Sequence, residues 1–324
     1  GNPWEESRTI AQWSTFLNNG AHDSTSLKEG GKADVIITAQ QDLTTEVFRL
    51  GKIVWSPQNL LQGYDDKSSI VIDGNGNSID DNAIATYMYG QVEAKNFILN
   101  HVPGTYATRF PADVFTMNQV LYQSGSNAQY PERLDKPLYL RLSGIKTNDT
   151  STSDLNKYLK IAGNAYTDEV EVNIDEAQNP VYVLEKIHNL TVKSGTENAQ
   201  NPIRVSLEPT YTAGTVGGTT KTYTNTALID TTKGGNLSFY SLGLLPSSQG
   251  LNNRAGVDIT LKGNGKIIFA NRAISSVYQT EEQENNPNMA SQSHLNVPAL
   301  NATTLTLESN VSVAKSNLRP DDSV

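Results

Sequence analysis

A chain of 324 residues is long enough for one large β domain or two ordinary ones, and 37% hydrophobic residues support a core on the lean side of the globular range. A net charge of −9 and a pI near 5.0 oppose non-specific nucleic-acid binding and offer no basic patch to an anionic membrane. The absence of cysteine excludes disulfide staples, thiol catalysis and Cys-based zinc sites.

No apolar run approaches the roughly 20 residues a membrane helix needs, so no transmembrane segment is expected. The wealth of Asn, Thr, Ser and Gly suits an exported or cell-surface protein, and Gly1 in place of Met suggests a leader already removed. Five Asn-x-Ser/Thr triplets, at Asn148, Asn189, Asn236, Asn301 and Asn310, fit the glycosylation pattern. Such triplets arise by chance in a chain of this composition.

In chain order, residues 7–19 read as a helix. Ser7 can cap it, Ile10, Trp13, Phe16 and Leu17 share one face, and Asn18-Asn19-Gly20 stops it. Ala33 to Thr38 and Ile53-Val54-Trp55 read as strands. Ser69 to Ile79 then combines a β-rich run, Ile70-Val71-Ile72, with the bend Asp73-Gly74-Asn75-Gly76-Asn77. Strand-like cores recur from Ile70 through Phe97, Val120, Leu138, Tyr158 and Val181, at steps of 27, 23, 18, 20 and 23 residues. A step of roughly 20–25 residues is the mark of a solenoid, whereas antiparallel sandwiches place strands about 8–12 residues apart.

Further strands are expected at Val170 to Ile174, Leu190 to Lys193, Ile203 to Leu207, Leu237 to Tyr240, Val257 to Leu261, Lys266 to Ala270, Thr304 to Leu307 and Val311 to Ala314. Residues 209–235, rich in Thr and Gly, and the polar 279–298 read as long excursions. No linker divides the chain, so residues 1–324 are expected to form a single domain, Thr147 to Asp154 being the best candidate break.

Three stretches carry a family resemblance. The helix Ile10 to Leu17 stands before the first strand, where a cap would close a stack. Ile70-Val71-Ile72-Asp73-Gly74-Asn75-Gly76 looks like an early coil. Val92 to Asn100 looks like a recurrent one, an Asn turn followed by an apolar strand, with echoes at Leu190 to Ser194 and Thr304 to Glu308. On these residues the chain resembles the right-handed parallel β-helix proteins of the pectate-lyase-like superfamily, best over residues 8–145. The resemblance implies an all-β solenoid with an N-terminal capping helix. Physically, each coil buries one strand face in a narrow interior, and Asn at the bends adopts left-handed backbone and stacks along the coils.

Candidate chemistry is scattered. Asp73, Asp80 and Asp81 lie close enough in sequence to bind Ca²⁺, the one cofactor suggested, or to divide acid and base roles in glycoside hydrolysis. Asp80-Asp81 resembles the Asp-Asp pair of the polygalacturonase branch, but the Gly-His-Gly of that branch is missing. Lyases of this fold need a basic residue, for which Lys95 and Arg109 are candidates, with His101 and Asp113 near them as substrate contacts. Arg133 and Arg141, beside Asp135 and Lys136, can grip acidic sugars or simply form solvated ion pairs. Tyr139, with Tyr87, Tyr89, Tyr122, Tyr130 and Tyr158, can stack on sugar rings, although strand preference alone places Tyr there. Phosphate-loop, dinucleotide and Gly-x-Ser-x-Gly signatures are absent.

Three readings result. The first is an extracytoplasmic β-helix that binds glycan or acts in adhesion, its partner a polysaccharide or cell-surface glycan. The second is a lyase or hydrolase of uronate-containing polysaccharide. The third is an antiparallel β-sandwich of the fimbrial or pilus type.

Overall fold

The computed structural model describes residues 5–9, 12, 34–42, 69–80, 86–87, 91–100, 115–116, 138–147, 158–162, 168–175, 179–207, 211–216, 219–223, 225–244, 256–270, 300–308 and 310–316. They are almost entirely β. The chain makes successive passes, each opening with a strand of the same sheet. The first pass is β1 (Asp34–Thr38). The second holds β2 (Ser69–Asp73), β3 (Ser78–Asp80) and β4 (Thr86–Tyr87), and the third β5 (Gln91–Lys95), β6 (Ile98–Asn100) and β7 (Phe115–Thr116). The fourth holds β8 (Leu138–Ser143), β9 (Lys146–Thr147) and β10 (Tyr158–Ala162). Then follow β11 (Asp168–Ile174) with β12 (Val181–Ile187), and β13 (Asn189–Ser194) with β14 (Ile203–Leu207). A hairpin of β15 (Tyr211–Val216) and β16 (Thr219–Tyr223) intervenes. The last passes are β17 (Asn225–Thr231) with β18 (Leu237–Leu244), β19 (Val257–Gly263) with β20 (Lys266–Ala270) and β21 (Leu300–Asn301), and β22 (Thr304–Leu307) with β23 (Ser312–Ser316).

These strands sort into a first sheet ordered β1-β2-β5-β8-β11-β13-β17-β19-β22 and a second ordered β4-β7-β10-β12-β14-β18-β20-β23, with β21 beside β18. The short third sheet is β3-β6-β9. Among the described strands every pairing is parallel except that of β15 with β16. The fold is therefore all-β with parallel sheets, an arrangement compatible with a β-helix or solenoid. Among the described strands the antiparallel sandwich has no counterpart beyond that one hairpin.

Parallel neighbours with no slip in the first sheet put like positions in rows. One row runs Ile37, Ile72, Ala94, Leu142, Val172, Val192, Ile229 and Leu261, all buried. A second row, through Leu140, Val170, Leu190, Ala227 and Ile259, is buried as well. Aliphatic side chains suffice because the row needs only apolar volume. The second sheet supplies Leu159, Ile161, Leu184, Val205, Leu242, Ile267 and the stacked pair Phe239–Phe269, 5.8 Å between ring centroids. At β14 all five residues are buried, including Arg204, whose guanidinium lies 4.2 Å from the Tyr240 ring centre.

Corners are fixed by short polar side chains and by glycine. Asn75 (φ 52°) and Asn96 (φ 60°) adopt left-handed backbone, as does Gly144 (φ 62°), where a Cβ would lie 2.5 Å from Asn96 Oδ1. At another corner Asn198 Oδ1 accepts from Asn236 N at 3.1 Å, and Asn236 Oδ1 accepts from Lys266 N at 2.8 Å. Each amide oxygen thus accepts from a backbone N–H of the next pass, a side-chain-to-backbone bond and not amide-on-amide stacking.

Several expectations change. The helix expected over 7–19 does not begin at Ser7: residues 7–9 are not helical, whereas Gln12 is. Thr9 and Gln12 exchange hydrogen bonds, Gln12 N to Thr9 Oγ1 at 3.1 Å and Thr9 N to Gln12 Oε1 at 2.9 Å, the reciprocal pattern of a capping box. The residues between and beyond lie outside the described set. The excursion expected over 209–235 is shorter, since β17 within it is a central strand with Ile229 fully buried. The even step of 20–25 residues also fails. First-sheet strands begin at 34, 69, 91, 138, 168, 189, 225, 257 and 304, so successive starts differ by 21 to 47 residues. The anchors had mixed strands of two sheets, and Phe97 is a buried corner residue between β5 and β6. Ile53–Trp55, Val120 and residues 279–298 lie outside the described residues.

Candidate functional site: the outward face of the first sheet

Strands of the first sheet alternate sharply. In Asp168-Glu-Val-Glu-Val-Asn-Ile174, Val170, Val172 and Ile174 go to the interior and leave Glu169, Glu171 and Asn173 outside. Parallel register then builds outward rows. One runs Glu93, Arg141, Glu171 and Thr191. Its neighbour runs Thr38, Asp73, Lys95, Ser143, Asn173, Lys193, Asp230 and Lys262. Adjacent strands are about 4.8 Å apart, so the second row offers a charged or hydrogen-bonding group at that interval along the stack.

Glu171 is the hub. The Arg141 guanidinium pairs with its Oε2, Lys193 Nζ lies 3.0 Å from its Oε1, and Asn173 Nδ2 donates to Oε2 at 3.2 Å. The Lys193 contact is diagonal, because the residue directly opposite Glu171 on β13 is Thr191. Burial pushes the Glu171 carboxyl up. The hydrogen bonds from Lys193 and Asn173 and the charges of Arg141 and Lys193 outweigh it, so the group sits below its ordinary value. Asp230 follows the same logic. Burial raises it, while the Thr232 hydroxyl and backbone N–H and the charges of Lys262 and Lys193 bring it below the ordinary value. Lys262 Nζ stands 3.9 Å from its Oδ2. The alternating signs neutralise one another and hold the long side chains over the sheet.

Of the residues singled out from sequence, Asp73, Lys95 and Arg141 lie on this face. Asp73 and Lys95 are direct register partners. Asp73 Oδ1 is already engaged, accepting from Asn75 N at 2.8 Å and Asn96 Nδ2 at 3.2 Å, which makes it a corner-forming carboxylate. Arg141 pairs with Glu171, so the ion-pair reading of that residue describes its contact. Tyr139 occupies β8 between Gln91 and Glu169 in register. Asp80 ends β3 opposite Asn100, in the third sheet and away from the Asp73 row. Asp81, His101, Arg109, Asp113 and Arg133 lie outside the described residues.

Glu171, Asn173, Lys193, Asp230 and Lys262 were missed as site residues. The alternation inside each strand was visible, but nothing in the chain says that positions 141, 171, 193, 230 and 262 are neighbours. His188, another of the four histidines, is buried, with Nδ1 against Asn225 Oδ1. Among the described residues no group of three or more His, Asp or Glu is placed to hold a metal ion. No helix there is long and apolar enough to cross a membrane. Set against known protein families, curated proteins and solved structures, the chain matches none.

Proposed function

We propose that the protein is a right-handed parallel β-helix of the pectate-lyase-like kind, exported or held at the cell surface, and that the outward face of its first sheet binds glycan. Right-handedness follows from the general rule for parallel crossover connections. The observation that carries the functional reading is the row Asp73, Lys95, Ser143, Asn173, Lys193, Asp230 and Lys262, one polar group per strand along the stack. A polymer of repeating hydroxyls laid along that row meets donors and acceptors at a constant interval. Charges paired within the sheet keep the face near neutral there, which suits many weak hydrogen bonds better than capture of a polyanion.

The test is a panel of neutral and uronate-rich polysaccharides, with and without Ca²⁺, measured for binding and for new chain ends. Saturable binding without cleavage, weakened at least several-fold by the double substitution Lys193→Ala, Lys262→Ala, is the expected result. Unsaturated or reducing ends would transfer the protein to the lyase or hydrolase reading, with Asp81→Asn and Arg109→Ala as the next variants. No binding to any member would end the glycan reading.

A further inference from the structure

The stack is closed unequally at its two ends. At one end Ile37 of β1 belongs to an interior row and is 6% exposed. At the other, β22 continues the same rows with Leu305 opposite Ile259 and Leu307 opposite Leu261, yet these leucines are 43% and 56% exposed. Two side chains in core register face solvent on β22, which among the described strands has a partner on one side only.

Edges of this kind invite pairing, and proteins usually blunt them with lysine, proline or a bulge. The neighbouring edge carries a charge, although Val313, opposite the buried Ile267, is 43% exposed. In β23, Lys315 stands opposite Phe269, in the row that carries Ile203 and Phe239, where an apolar residue would otherwise be expected. β22 has no such device: Thr304-Leu-Thr-Leu307 contains no charge and no proline, and its pairing with β19 has no slip.

We infer that a second copy of this chain docks on β22, antiparallel, about a two-fold axis at Thr306. The strand is self-complementary in that register. Leu305 of one copy falls opposite Leu307 of the other, twice over, and Thr306 meets Thr306. The one nearby carboxylate, Glu308, faces Thr304 of the other copy and not its own equivalent, so no like charges oppose across the new pair. A two-fold contact uses the same surface on both partners and closes after two. It therefore needs only the one open end. Head-to-tail growth would need a second open interior row, and at β1 the interior-row residue Ile37 is buried, the exposed Ile36 lying on the outward face. Lys315 confines the contact to the first sheet, because extending it to β23 would bring two lysine-bearing edges together.

Sedimentation and light scattering on the whole 35.3 kDa chain, from low to high micromolar concentration, test this. A mass that rises to twice that of the chain and stops is expected. Leu307→Lys should return the monomer with unchanged circular dichroism and melting temperature, since the side chain is exposed on an edge. A chain without cysteine allows a sharper probe. Thr306→Cys should form an intermolecular disulfide under mild oxidation many-fold faster than Thr304→Cys, since opposed antiparallel positions lie about 4.5–5.5 Å apart, within disulfide reach. A monomer at every concentration, equal crosslinking of the two cysteine variants, or masses growing beyond two chains would each overturn the proposal.

Discussion

The two faces of the first sheet come from the same strands in the same register, and they obey different physics. On the buried face, Ile72, Ala94, Leu142, Val172, Val192, Ile229 and Leu261 follow one another with no common shape, only common apolarity. On the outward face, Arg141, Glu171, Lys193, Asp230 and Lys262 follow an order of charge. Burial is non-directional and strong, and partly exposed ion pairs are directional and weak. Stability should therefore reside in the inner rows, leaving the outer row free to take on recognition.

Substitutions at four positions sharpen or break that contrast. The largest effect is expected from Leu142→Ala, which removes a fully buried side chain between Ala94 and Val172. Urea unfolding should show a loss of about 2–5 kcal/mol; a loss near zero would mean the inner row is not tightly packed. Next comes Gly263→Ala, at φ +117° with a Cβ that would lie 2.4 Å from the Thr231 carbonyl carbon. Strain of about 1–3 kcal/mol is expected, read as a lower melting temperature.

A smaller loss, about 1 kcal/mol, should follow Asn236→Ala, because Lys266 N loses its side-chain acceptor. Asn236→Asp, which keeps an acceptor oxygen, should recover most of it. Smallest at neutral pH is Glu171→Gln, at about 0.5–1 kcal/mol. Its signature lies in the pH profile. The folded-state carboxyl sits below its ordinary value of 4.5, so its contribution is present above that pH and is lost as pH falls through the folded value. The wild type should lose stability on acidification below about that pH more steeply than the variant. Parallel curves would show that the Arg141–Glu171–Lys193 cluster contributes nothing, leaving the outer face energetically silent.

Much of the strand content was legible. Alternation in Asp168 to Ile174, in Asn189 to Ser194 and in Val257 to Gly263 marks each strand and its buried side, because period-two patterning is local. The Asp73-Gly74-Asn75-Gly76-Asn77 bend was legible for the same reason. The residues expected to open the helix, 7–9, are not helical; Ser7 and Thr9 are both competent caps, and it is Thr9 that exchanges hydrogen bonds with Gln12. The spacing of the stack was misread because passes lengthen at their corners without altering the strands. Loop closure grows only slowly costlier with length, so an insertion such as the β15–β16 hairpin leaves the first-sheet register between β13 and β17 intact.

The amino-acid order alone determined that the chain would be β-rich, cysteine-free and acidic, which residues of each strand would be apolar, and where its bends would fall. Each of those depends on composition or on neighbours a few residues away. The tertiary structure alone decided which strands lie side by side. It took Glu171 to Arg141 across 30 positions and to Lys193 across 22, engaged Asp73 in a corner, and left Leu305 and Leu307 at an uncovered edge. Register is a property of the whole stack: inter-strand hydrogen bonds and buried rows form together, and no single segment carries the information that pairs it with the next.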